Sequence, residues 1–173
     1  MTKTEEKILE LLALNPYREY YGSEIAREVK CSKAAASAIL ARLFAKKIIG
    51  VRSLSNLKFY QINQCPFVIN YKISLAIKKL ETVIEELKKI STMIILFGSA
   101  SRGEQTVESD YDLFIISKNR HEVIDLIKNS HLKNIVKPII KTNSEWSEME
   151  LNDSIFYDEI KRGINLHNYV SRI

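Results

Sequence analysis

Two carboxylates two positions apart, Asp110 and Asp112, open an apolar run, Leu113-Phe114-Ile115-Ile116. In a strand, residues two apart share a face, so both carboxylates project together and Tyr111 projects the other way. Acidic oxygens paired in this way suit a hard cation such as Mg²⁺ or Mn²⁺. Upstream, a second apolar run, Ile94-Ile95-Leu96-Phe97, passes directly into Gly98-Ser99 and then Ala100-Ser101-Arg102-Gly103. Glycine removes the side chain where a phosphate must approach the backbone. Free N–H groups at a helix start and the Ser99 hydroxyl can hold phosphate oxygens, and Arg102 can add a charge-assisted contact. A cation between the two carboxylates and a bound triphosphate would neutralise charge and align the phosphorus for in-line attack.

This order (apolar strand, Gly-Ser, about ten residues, Asp-x-Asp on a second strand) resembles the DNA polymerase β-like nucleotidyltransferase superfamily. Gly98, Ser99, Asp110 and Asp112 match its pattern directly, and the resemblance covers about 70–165. The absence of any insertion between motif and second strand, with Arg102-Gly103 following the first, resembles the minimal subfamily. The resemblance implies that Gly98, Ser99 and Arg102 bind an NTP. It implies that Asp110 and Asp112 hold Mg²⁺ or Mn²⁺ and are catalytic, and that a nucleoside monophosphate passes to a hydroxyl. Active members usually carry a third carboxylate on a further strand, where it completes the metal site and accepts the hydroxyl proton. The corresponding segment, Asn134 to Lys141, has no Asp or Glu; Lys137 and Lys141 stand where a carboxylate is expected. The nearest acids, Glu145 and Glu148, fall on the following helical segment. Losing that group weakens metal binding and removes the base, yet leaves nucleotide binding open.

The elements that must position these residues alternate. Strands are expected at 93–97, 112–117 and 135–140, with helices at about 120–129, 143–150 and 153–162, the last with Phe156, Tyr157, Ile160 and Leu166 on its core face. A helix over 72–90 precedes them, with Ile73, Ile77, Leu80, Ile84 and Leu87 spaced 4, 3, 4 and 3 apart. That seam spans only about two heptads, so it serves either a homodimer or packing on the next domain. Trp146 is expected to pack a helix on the sheet, and His121, His131 and His167 to lie on the surface.

The first third has another character. The net charge of +5 is carried there: residues 1–64 hold 11 Lys+Arg against 6 Asp+Glu, and the remainder is balanced. Such a local excess suits a polyanion. Helical spacing over 5–14 ends at Asn15-Pro16. A second helix is expected from Ser23 as N-cap, with Ile25, Ala26 and Val29 inward. A third is capped by Ser32, with Ala35, Ala38, Ile39, Ala41, Leu43 and Phe44 inward. Runs at 48–53 and 57–62, joined by Leu54-Ser55-Asn56, read as a hairpin. Three helices followed by a hairpin resemble a winged helix-turn-helix. That implies double-stranded DNA as partner, with Ser32, Lys33 and Ser37 toward bases and Arg52, Ser55, Asn56 and Lys58 near phosphates. Pro66 is expected to close this domain.

The expected fold class is therefore mixed α+β: a winged helix-turn-helix over 1–64, then a small α/β nucleotidyltransferase-like domain with a mixed sheet over 70–173. No run is long and apolar enough for a membrane span, the N-terminus lacks a secretory signal, and two cysteines, Cys31 and Cys65, make no disulfide framework. These point to a reducing, cytoplasmic setting. Two functions compete. One is a metal-dependent nucleotidyltransferase. The other is a catalytically impaired DNA-binding regulator, or a toxin–antitoxin or defence component, that uses the transferase fold as a nucleotide sensor or interaction domain.

Overall fold

The computed structural model describes residues 1–168 and divides into two compact units, Met1–Lys72 and Ile73–Ile173. The first contains α1 (Lys3–Leu14), β1 (Tyr20–Tyr21), α2 (Gly22–Glu28), α3 (Lys33–Ala45), β2 (Ile49–Leu54) and β3 (Leu57–Ile62). Its caps follow from local chemistry. The Thr2 hydroxyl accepts the Glu5 N–H at 3.2 Å, and the Ser32 hydroxyl accepts the Ala35 N–H at 3.1 Å, each satisfying a donor the helix leaves free. β2 and β3 pair antiparallel around Ser55-Asn56, with Leu54 opposite Leu57 and Ser55 at φ 52°. The short β1 adds to β3, giving the order β1-β3-β2. Ile8, Leu9, Leu12, Ile25, Ile39, Leu40, Leu43, Ile49 and Ile62 fill one core. This is a winged helix-turn-helix, with β2 and β3 as the wing.

Several local expectations shift. α2 starts at Gly22 with Tyr21 as N-cap, so Ser23 is not the cap; the preceding β1 pairing fixes the chain before Ser23 is reached. On α3 the inward residues are Ala36, Ile39, Leu40 and Leu43, while Ala38, Ala41 and Phe44 face outward. Alanines surround this helix, so apolar spacing alone does not select a face. Pro66 begins a helix instead of only ending a domain: α4 runs Pro66–Leu87, not 72–90, because proline lacks only an N–H that the first helical turn leaves unpaired. The boundary between units accordingly falls within α4, after Lys72.

The second unit holds the rest of α4, then β4 (Met93–Phe97), α5 (Gly98–Ser101), β5 (Tyr111–Ile116), α6 (Arg120–Lys128), β6 (Val136–Lys141), α7 (Asn143–Asn152), α8 (Ser154–Lys161) and β7 (Ile164–Asn168). The mixed sheet runs β6-β5-β4-β7; β5 and β6 are parallel and the other pairs antiparallel. Both faces are buried, as the continuous apolar strands require. Ile94, Leu96, Leu113 and Ile115 pack with Leu80, Val83, Ile84 and Leu87 of α4 and with Val123 and Ile127 of α6. Ile95, Phe97, Phe114 and Ile116 pack with Trp146, Met149, Phe156, Tyr157 and Ile160 of α7 and α8. The Trp146 ring lies 4.6 Å from Phe114 and 4.3 Å from Tyr157, centre to centre.

The heptad seam on α4 thus spends Leu80, Ile84 and Leu87 on its own domain's core. The strand β7 was not anticipated: Leu166 belongs to it and not to the last helix, which stops at Lys161. Gly163 permits the reversal, since a Cβ there would stand 2.6 Å from the Leu96 carbonyl oxygen and 2.6 Å from Ile95 Cγ2. His167 lies on β7 beside Ile94, partly buried. Among the described residues, no helix is long and apolar enough to cross a membrane.

Candidate nucleotide and metal site

The site is assembled where β4 ends and β5 begins. Their register sets Phe97 opposite Asp112, so Gly98 emerges directly beside the Asp112 carboxylate. Gly98 holds φ 66°, a left-handed conformation that glycine adopts readily, and a Cβ on it would lie 2.4 Å from Asp112 Oδ2. The expected reason for this glycine was room for a phosphate. The geometry adds a nearer one: any side chain here collides with the carboxylate. The turn is closed by Ser101 Oγ donating to the Gly98 carbonyl at 2.8 Å and by the Glu104 N–H donating to the Ser99 carbonyl at 2.9 Å. The helix after Gly98 is a single turn, so anion binding rests on its few N–H groups and the Ser99 hydroxyl more than on a summed helix dipole.

Asp110 precedes β5 and Asp112 is its second residue; Tyr111, between them, is buried on the α4 side with the Lys79 ammonium 5.4 Å from its ring centre. The α7–α8 side therefore carries both carboxylates. Burial pushes the Asp112 carboxyl above its ordinary range; the charges of Asp110 and Glu159 push the same way, and Lys137 opposes them. Oxygen donors made mutually repulsive in this way fit a divalent cation. Among the described residues, no three His, Cys, Asp or Glu side chains gather as a metal-binding group.

β6 explains the shortage. Its parallel register sets Lys137 beside Asp112, and the Lys137 ammonium lies 3.8 Å from Asp110 Oδ2. Lys141 pairs with Ile116 at the far end of the strand, away from the site. Glu145 is engaged elsewhere: it accepts the Thr142 N–H at 2.7 Å in a capping box and pairs with Arg120. The Arg120 guanidinium first, and the Thr142 N–H next, hold its carboxyl down at about 2. Arg102 is also occupied, donating to Glu104 at 2.8 Å with Glu159 at 3.9 Å. Glu159 was missed from the sequence; it sits on α8 beside the core residue Ile160, and nothing in its spacing points toward the β5 carboxylates. Together with Ser101, Arg102, Ile155, Asp158 and Arg162 it lines a cleft of about 470 Å³.

In the first unit, Lys33 and Ser37 are exposed on the leading half of α3, and Ser55, Asn56 and Lys58 are exposed on the wing. Ser32 spends its oxygen on the helix cap. Arg52 donates twice to Glu19, at 2.8 and 2.5 Å, and lies over the Phe59 ring, so its guanidinium is already engaged.

A mixed sheet with a Gly-Ser turn abutting Asp112 on the neighbouring strand, and Asp110 just before that strand, defines a nucleotidyltransferase-fold domain. Residues 77–163 match the model of the nucleotidyltransferase domain family, and the chain belongs to that family. No curated protein matches the sequence. Among solved structures, the chain is similar to a zinc-responsive MarR family member, ZitR of Lactococcus lactis, at 24% identity, covering 53% of this chain and 64% of that one with a TM-score of 0.39. It is similar also to reduced HlyU of Vibrio cholerae (23% identity, 45% and 77% covered, TM-score 0.37). The adhesin competence repressor of Streptococcus pyogenes is a third (17%, 53% and 69%, TM-score 0.39). For a ZitR variant at 25% identity, the chain spans 63% of the length of the structure it matches.

Proposed function

We propose that the second domain binds an NTP, that the first binds double-stranded DNA, and that the chain is a nucleotide-responsive DNA-binding protein. The observation that carries the nucleotide reading is the abutment of Gly98 on Asp112, with Asp110 on the same side of β5. The N–H groups of the Gly98–Ser101 turn and the Ser99 hydroxyl would receive phosphate oxygens. Arg102 would join them on leaving Glu104. Asp110 and Asp112 would hold a divalent ion, Mg²⁺ or Mn²⁺. That ion would supply charge neutralisation and orientation of the triphosphate. Support for DNA binding comes from the basic excess of residues 1–64 and the exposure of Lys33, Ser37, Ser55, Asn56 and Lys58.

Transfer of a nucleoside monophosphate to a hydroxyl is a second reading, favoured by the intact Gly98, Ser99, Asp110 and Asp112. Against it stands Lys137, an ammonium with no capacity to take the hydroxyl proton at the position where the resemblance expects a base. Calorimetric titration of the full chain with each NTP, with and without Mg²⁺, tests the nucleotide site. Equal affinity in both conditions removes the metal from the reading, and no binding of any NTP removes the reading. Incubation with NTP and Mg²⁺ followed by mass spectrometry of protein and RNA tests transfer.

A further inference from the structure

The second domain brings an acidic pair and a lysine together on adjacent parallel strands. Asp112 and Lys137 are register partners, so their side chains leave the sheet on the same face. Asp110, two residues before Asp112, has its Oδ2 3.8 Å from the Lys137 ammonium. The contact is open to water, with 46% of the Asp110 side chain and 55% of the Lys137 side chain exposed. A loose, solvated pair of this kind adds little stability. Its consequence is electrostatic: one end of the β5–β6 pair holds two carboxylates and an ammonium, where three carboxylates would carry two more negative charges.

We infer that Lys137 is a built-in counter-cation for Asp110: it suppresses binding of a free divalent ion to the acidic pair and contacts the phosphates of an incoming nucleotide. The inference rests on the proposed nucleotide site and adds how that site is controlled. The physical steps are short. A divalent ion on Asp110 must share that carboxylate with a unit positive charge a few ångströms away, which Coulomb repulsion disfavours even in water. A triphosphate brings several negative charges to the same place. The flexible lysine stem then lets the ammonium turn from Asp110 to a phosphate oxygen, which frees the carboxylate for the ion that arrives with the nucleotide. Metal and nucleotide therefore bind together, and the acidic pair stays largely metal-free without nucleotide.

The test uses the full chain and two separate probes. Mn²⁺ alone, titrated without nucleotide and followed by the electron paramagnetic resonance of the free ion, reports the acidic pair. Lys137→Met should tighten Mn²⁺ binding by about tenfold, and Lys137→Asp by more. Adding Asp112→Asn to Lys137→Asp should cancel the gain, which assigns the ion to this pair. ATP titrated in EDTA reports the phosphate contact: Lys137→Met should weaken it and Lys137→Arg should preserve it. Opposite signs for the two probes in one variant are the signature, because a merely structural lysine would weaken both. Lys137→Met and Lys137→Asp proteins that are folded by circular dichroism and bind Mn²⁺ no tighter than the parent overturn the inference. If the parent binds no NTP, the proposed nucleotide function fails and the phosphate contact with it, while the Mn²⁺ series still decides whether Lys137 guards the acidic pair.

Discussion

Gly98 is where backbone and charge meet most tightly. Its φ of 66° and the 2.4 Å approach to Asp112 Oδ2 make two separate demands. Gly98→Ala should cost about 1–2 kcal/mol from the left-handed backbone alone and should also displace the carboxylate, abolishing metal-linked NTP binding. Asp112→Ala in the same chain should recover part of the lost stability, since it removes the atom the new Cβ strikes. A strictly additive double-mutant cycle in urea denaturation would show that the two residues do not collide. Glu145 gives a second test, in pH. Its folded carboxyl is held down to about 2 against an ordinary 4.5. A depressed carboxyl contributes stability above its unfolded value, and that contribution is lost as pH falls through the folded value. Parent and Glu145→Gln melting temperatures should therefore differ near pH 6, converge as pH falls from 4.5 toward 2, and stay merged below that. A constant offset across this window would mean that the carboxylate charge contributes nothing.

The elements decide which residues are free to meet a partner. In α4, Leu80 is fully buried in the core of its own domain. Leu80→Ala should cost about 2–5 kcal/mol, with a denaturation midpoint independent of protein concentration. A concentration-dependent midpoint would favour the homodimer that the heptad spacing left open beside packing on the next domain. In α3 and the wing, exposure ranks the DNA candidates. Lys33→Glu on the leading turn of α3 should weaken duplex binding more than Lys3→Glu, measured by fluorescence anisotropy. With three to five phosphate contacts, affinity should fall about 40- to 500-fold for a fourfold rise in salt. Because Glu19 already binds Arg52, Arg52→Ala should weaken DNA binding less than Lys58→Ala, and Glu19→Gln should strengthen it. The reverse order for Arg52 and Lys58 would place the wing arginine on phosphate despite its acidic partner.

For the whole molecule, the proposed function requires energetic coupling between two sites in two domains. Saturating Mg²⁺ and NTP should change the full chain's affinity for duplex DNA, with coupling typically in the range of about 5- to 150-fold. Asp112→Asn should abolish that response and leave nucleotide-free DNA binding intact. Identical DNA affinity with and without nucleotide, in a chain shown to bind both, would end the sensor reading and leave two independent activities.

The sequence alone determined the two architectures, because their signals are local. The continuous apolar runs of β4 and β5, the Ser32 cap, the paired runs of the wing and the order of Gly-Ser and Asp-x-Asp all lie within short windows where local composition and turn chemistry decide. It also showed that β6 has no acid. Only the tertiary structure decided what stands in its place. Strand register aligns Lys137 with Asp112 across 25 residues of chain, and such pairing is a long-range choice with no local signature. The same holds for Glu159, which α8 brings near the β5 carboxylates, for Glu145, which Arg120 holds away from them, and for β7, whose short polar-flanked run becomes a strand only because β4 offers it an edge. On α3, where almost every face is apolar, the inward face was set by the core it joins and not by the helix itself.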